Sequence, residues 1–115
     1  MRILLALLLL ASTTALADGY LAVSESLLAL DWAQTRYISA HPDGYRELNP
    51  LLGSHPSIGR VNTHFAGAML ADWAIGNWLR DEFGDDPRKT WLIAVSVIEG
   101  GIVAHNYRIG ARFNF

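Results

Sequence analysis

The chain has no cysteine in its 115 residues. That single absence removes disulfide frameworks, Cys-ligated zinc, iron–sulfur clusters, thiol nucleophiles and lipoprotein processing together. Charge is also scarce, at 17% of residues, and has no basic block: 9 Lys and Arg face 11 Asp and Glu, for a formal net charge of −2. A nucleic-acid partner therefore has no electrostatic footprint. Disorder is excluded as well, because 51% of the residues are hydrophobic and a chain with so little charge has apolar surface to bury. Catalytic signatures are missing too. There is no HExxH, no GxSxG, no phosphate loop and no serine placed with a His–acid pair. Nothing implies a cofactor, and no enzyme class is indicated.

Residues 1–17, MRILLALLLLASTTALA, are laid out as an export signal. Arg2 is the positive start, residues 3–11 are the apolar stretch, and 12–17 form a small, polar end closing on Ala15-Leu16-Ala17. The apolar run of about 15 residues would make roughly 22 Å of helix, short of the ~30 Å hydrocarbon core. A signal peptide cleaved after Ala17 is expected over an anchor, which leaves residues 18–115 as one helical domain.

Three helices are expected in that domain. The first covers about 19–39, with Asp18 available as N-cap, and stops at His41-Pro42 because the residue before proline is pushed out of the α region. The second opens near Ser57 and runs to about Phe83, with Gly84 as its C-terminal glycine. The third takes Asp86 as N-cap and Pro87 as first helical residue, and ends near Arg108 before Gly110. Between the first two lies a connector over 40–56 with Pro42, Pro50 and Pro56, read as short helical turns around 44–48 and 50–52.

Helices of 20-odd residues are roughly 30 Å long, which is bilayer length. Trp78 and Trp91 stand near helix ends, as in an aromatic belt. With the mature N-terminus outside, Arg36, Arg46, Arg60, Arg108 and Arg112 would lie inside, against Arg80, Arg88 and Lys89 outside. The opposing feature is an acid near the middle of each helix: Asp31, Asp72 and Glu99. A central Asp costs about 2.5–3.5 kcal/mol on insertion scales. The expectation is an all-α three-helix bundle embedded in the inner membrane after Sec-type export, with a soluble periplasmic bundle as the alternative.

The polar residues on these helices carry whatever chemistry there is. Asp31, Gln34 and Thr35 share one face of the first helix, and Glu99 aligns with Asn106 on the third. Asp72 is flanked on its face by Ala68 and Gly76, and His64 lies about 80° off that face. Glu47 and Asn49 belong to the connector, where Asn49-Pro50 starts a turn that Gly53 closes. Asp31, Gln34, Thr35, Glu47, Asn49, His64, Asp72 and Glu99 form the candidate polar set, with His105 as a further member. One reading makes them packing contacts through Gln34, Thr35, Ser96 and Asn106. The other makes them a site that handles protons or a divalent metal, with metal-dependent hydrolysis as its enzymatic form, in which Glu47 folds back toward Asp31 and Gln34.

The pair Asp31-x-x-Gln34-Thr35 and Glu47-x-Asn49-Pro50-x-x-Gly53 resembles a class of small uncharacterised bacterial and phage membrane proteins with a D-x-x-Q-T helix followed by an E-x-N-P turn. The motifs cover residues 28–65, and the layout extends to 108. The resemblance implies a helical integral-membrane protein and supplies no activity. The expected role is that of a non-enzymatic accessory or structural component, in contact with membrane lipids and with a protein partner or a second copy.

Overall fold

The computed structural model describes residues 19–114. The expected signal over 1–17 and the capping role given to Asp18 lie outside the described residues. Within them are three helices and no strand: α1 over Gly19–Ala40, α2 over Ile58–Phe83 and α3 over Asp85–Arg108. Each helix touches the other two, so they form a three-helix bundle.

α1 is the enclosed member. Residues 31–35 are all buried, and five consecutive positions exceed one turn of 3.6, so α1 is covered on every side at that level. Its interior holds no Gly or Pro, which favours an unbroken helix. Its Leu28, Ala29, Trp32 and Ala33 form the core with Val61, Phe65 and Met69 of α2 and Leu52 of the connector. Trp32 and Phe65 stack with centroids 6.2 Å apart and planes 11° apart. Full burial of such side chains stabilises by about 1.5–3 kcal/mol each. The indole does not leave its N–H bare, since Trp32 Nε1 donates to Asn62 Oδ1 at 2.9 Å and Arg36 Nη1 reaches the same oxygen at 2.7 Å.

α2 begins as its sequence indicates. Ser57 has extended backbone, and its Oγ accepts from the Arg60 N–H at 3.2 Å. Its end is shared with the next helix, which corrects the expected start of α3. Gly84, at φ 100°, donates to the Arg80 carbonyl and is followed at once by helical Asp85. Asp86 is thus inside the first turn rather than its cap. There its charge still favours the positive helix end, and Pro87 still lacks an N–H that would have had no intrahelical partner.

The connector is not helical, contrary to expectation. His41 O accepts from Gly44 N and Tyr45 N, Asn49 O accepts from Leu52 N and Gly53 N, and Glu47 N donates to Ser54 O at 2.8 Å. Two local captures compete with helix here: Glu47 Oε1 takes the N–H groups of Leu48 and Asn49, and Asn49 Oδ1 takes that of Leu51. The chain end returns along α1, where Asn114 N donates to Ala33 O and Arg36 Nε donates to Asn114 O.

No helix among the described residues is long and apolar enough to cross a membrane. The expectation of a bundle embedded through three spans is therefore not supported, and the Lys/Arg asymmetry has no span to orient. Length suffices; composition does not. Glu25 and Asp31 interrupt α1, Asn62, His64, Asp72 and Asn77 interrupt α2, and Glu99 with Asn106 interrupts α3. Apolar side chains nevertheless remain outside, among them Leu70, Trp73, Trp78 and Phe83 of α2 and Ile93, Val97 and Ile98 of α3.

Candidate functional site

A cavity of about 470 Å³ lies between α1, α2, α3 and the connector. Six of the eight candidate polar residues line it: Asp31 and Thr35 from α1, Glu47 and Asn49 from the connector, His64 from α2 and Glu99 from α3. His105 and Asn106 join them from α3, and Leu28, Phe65 and Ile102 supply apolar wall. The connector delivers Glu47 because the Glu47–Ser54 bond and the Asn49 turn fold it back over the bundle.

Asp31 is the most enclosed acid of the chamber, at 6% exposed. Its Oδ1 accepts from Thr35 Oγ1 at 3.2 Å and Asn106 Nδ2 at 3.4 Å. Burial pushes its carboxyl well above the ordinary range; hydrogen bonding with Glu99, the charge of Glu99 and the charge of Glu47 push in the same direction, and the Thr35 hydroxyl opposes them. Asp31 thus keeps its proton at neutral pH and holds it against Glu99. Two carboxyl oxygens of the chamber, Glu47 Oε2 and Glu99 Oε2, are buried with no hydrogen-bond partner. On the α2 side, His64 Nε2 lies 3.4 Å from Asn49 Nδ2, and its ring meets Phe65 edge-on at 5.0 Å.

Gln34 and Asp72 are elsewhere. Gln34 is fully buried and donates from Nε2 to the Val103 carbonyl at 3.1 Å, tying α1 to α3. Asp72 belongs to a second carboxyl pair nearer the start of α1. Its Oδ2 accepts from Ser24 Oγ at 2.7 Å and its Oδ1 from Trp91 Nε1 at 3.0 Å. Burial raises the Asp72 carboxyl, while hydrogen bonds from Ser24, Trp91 and Glu25 and the charge of Arg88 lower it. Glu25, 8% exposed, is pushed up to about 8 by burial, then by the charge of Asp72 and a hydrogen bond with it. Ser96, expected to bond between helices, instead donates to its own helix at Leu92 O.

Glu25 was not among the candidates, although its position carried a signal. It stands three and seven residues before Leu28 and Trp32, on the apolar stripe of α1, where an acid must be buried. The partnership of Trp91 with Asp72 had no such signal, because it depends on how α3 lies against α2. Among the described residues no group of three His, Asp or Glu side chains is placed to hold a metal ion. Neither a protein-family model, nor a curated protein, nor a solved structure matches the chain.

Proposed function

We propose that this protein is a small exported binding component, with no bond-making reaction of its own, whose chamber takes up a cation in exchange for the proton held between Asp31 and Glu99. The observation that carries this reading is the pair of buried, unpartnered oxygens, Glu47 Oε2 and Glu99 Oε2, in a cavity that also contains Asp31. Buried polar atoms of a folded protein are normally satisfied, and a cation would satisfy both at once. Its charge would also remove the reason for Asp31 to stay protonated, so binding and proton release are one event.

Infrared difference spectroscopy tests this. The protein at neutral pH should show protonated-carboxyl C=O stretches from Glu25 and Asp31; Asp31→Asn should abolish the Asp31 band, and a bound cation should remove that same band while leaving the Glu25 band. A spectrum in which Asp31→Asn changes nothing would dismiss the exchange.

The apolar side chains outside the bundle favour a location as well. Trp73, Trp78, Phe83 and Val97 are 47–70% exposed, and large aromatic and branched side chains in water suit contact with lipid. We place the mature chain on the outer side of the inner membrane, held against lipid by these residues rather than by a span.

A further inference from the structure

We propose that the cation is organic: a primary ammonium group on a compact apolar body, with the ammonium among Asp31, Glu47 and Glu99 and the body against Leu28, Phe65 and Ile102. This deepens the cation-binding reading above and rests on it. The first argument is size. A cavity of about 470 Å³ falls within the ~300–1,000 Å³ of small-molecule pockets, whereas a bare metal ion would leave nearly all of it empty. The second is the mixed character of its lining. The acids come from α1, the connector and α3, while Leu28, Phe65 and Ile102 present hydrocarbon and a ring.

The third argument is donor count. An ammonium carries three N–H donors, and the chamber has two unpartnered carboxyl oxygens besides the acid oxygen that Asp31 would free by releasing its proton. A divalent metal would need three or more of these groups converging at about 2.0–2.6 Å, and no such group of three exists among the described residues, whereas the charged hydrogen bonds of an ammonium reach ~2.7–2.9 Å and accept carboxyl groups that stand further apart. The charges facing the acids do not reverse this preference. Arg46 and His105 line the cavity but are exposed, so water screens them, whereas Asp31 is buried. His64 is held between Asn49 and Phe65.

Calorimetric titration of the mature chain with phenethylammonium, with its neutral analogue 2-phenylethanol and with magnesium or manganese chloride decides the matter, read beside the infrared band of the Asp31 carboxyl. Phenethylammonium should bind one site, at least about tenfold tighter than the alcohol, and release a proton to buffer. Glu99→Gln should weaken it by about tenfold or more; Glu47→Gln, on the connector, makes the same test if the Glu99 variant does not fold. Ile102→Trp should weaken binding while leaving the carboxyl band in place. Equal binding of the alcohol, or no effect of either Glu substitution, overturns the ammonium. Loss of the carboxyl band on adding metal but not phenethylammonium overturns the organic class and leaves cation exchange standing. A carboxyl band that no cation alters removes both.

Discussion

Glu25 and Asp31 are the two acids of α1, and both are buried, at 8% and 6% exposure. Each sits beside a second carboxyl from a neighbouring helix, Asp72 for Glu25 and Glu99 for Asp31, so each pair is tolerable only while it keeps a proton. For Glu25 the consequence for stability follows directly. Unfolded, it ionises near its ordinary 4.5; folded, it holds its proton to about 8. Between those values the folded state binds the additional proton, so its contribution is complete below pH 4.5 and is lost as pH rises through about 8. The melting temperature should therefore fall from pH 5 to pH 8, and Glu25→Gln should flatten that slope, as thermal unfolding followed by circular dichroism across this range would show. A slope unchanged by the substitution would mean that another group carries it. Trp91→Phe addresses the same pair from α3. It leaves Asp72 Oδ1 without its indole donor and should cost about 1–3 kcal/mol in urea unfolding.

Among the elements, the connector shows most clearly how local chemistry overrides a pattern. Leu48, Leu51 and Leu52 at helix-like spacing suggest helical turns, yet Pro50 denies Asn49 the α region and the Glu47 and Asn49 side chains take the N–H groups a helix would use. Of the three leucines only Leu52 enters the core, while Leu48 and Leu51 remain exposed. Asn49→Ala would release the turn that aims Glu47 into the chamber. It should cost about 1 kcal/mol of stability and weaken cation binding more than a surface substitution does. The segment after α3 is constrained differently. Gly110 has φ 99°, and a Cβ there would stand 2.9 Å from the Tyr45 hydroxyl. Gly110→Ala should destabilise by about 1–3 kcal/mol, whereas Gly59→Ala, in α2 with open space around it, should stabilise by up to about 1 kcal/mol. Melting the two variants side by side checks both signs.

At the scale of the whole molecule, several polar side chains are buried beside the apolar core, while large apolar side chains remain on the surface. Leu92 and Asn106 are the buried residues of α3, while Ile93, Val97 and Ile98 are exposed. Attachment to lipid through such a surface predicts a specific fractionation result. The chain should sediment with membranes, leave them in a carbonate wash, and have the mass of residues 18–115. Retention after the wash would point to an anchor, and the mass would show whether residues 1–17 are still present. Three helices, the Ser57 cap, the glycine stop at Gly84 and an inward set of polar residues were legible in the chain, because helix periodicity, proline and capping chemistry act over a few neighbours. Which acids meet was not legible. Asp31 and Glu99 are 68 positions apart and Glu25 and Asp72 are 47 apart, and only the rotation of each helix in the bundle determines that these four make two pairs, with Glu47 closing on one of them. Proton affinity follows from those pairings, since it depends on distance and burial rather than on residue type.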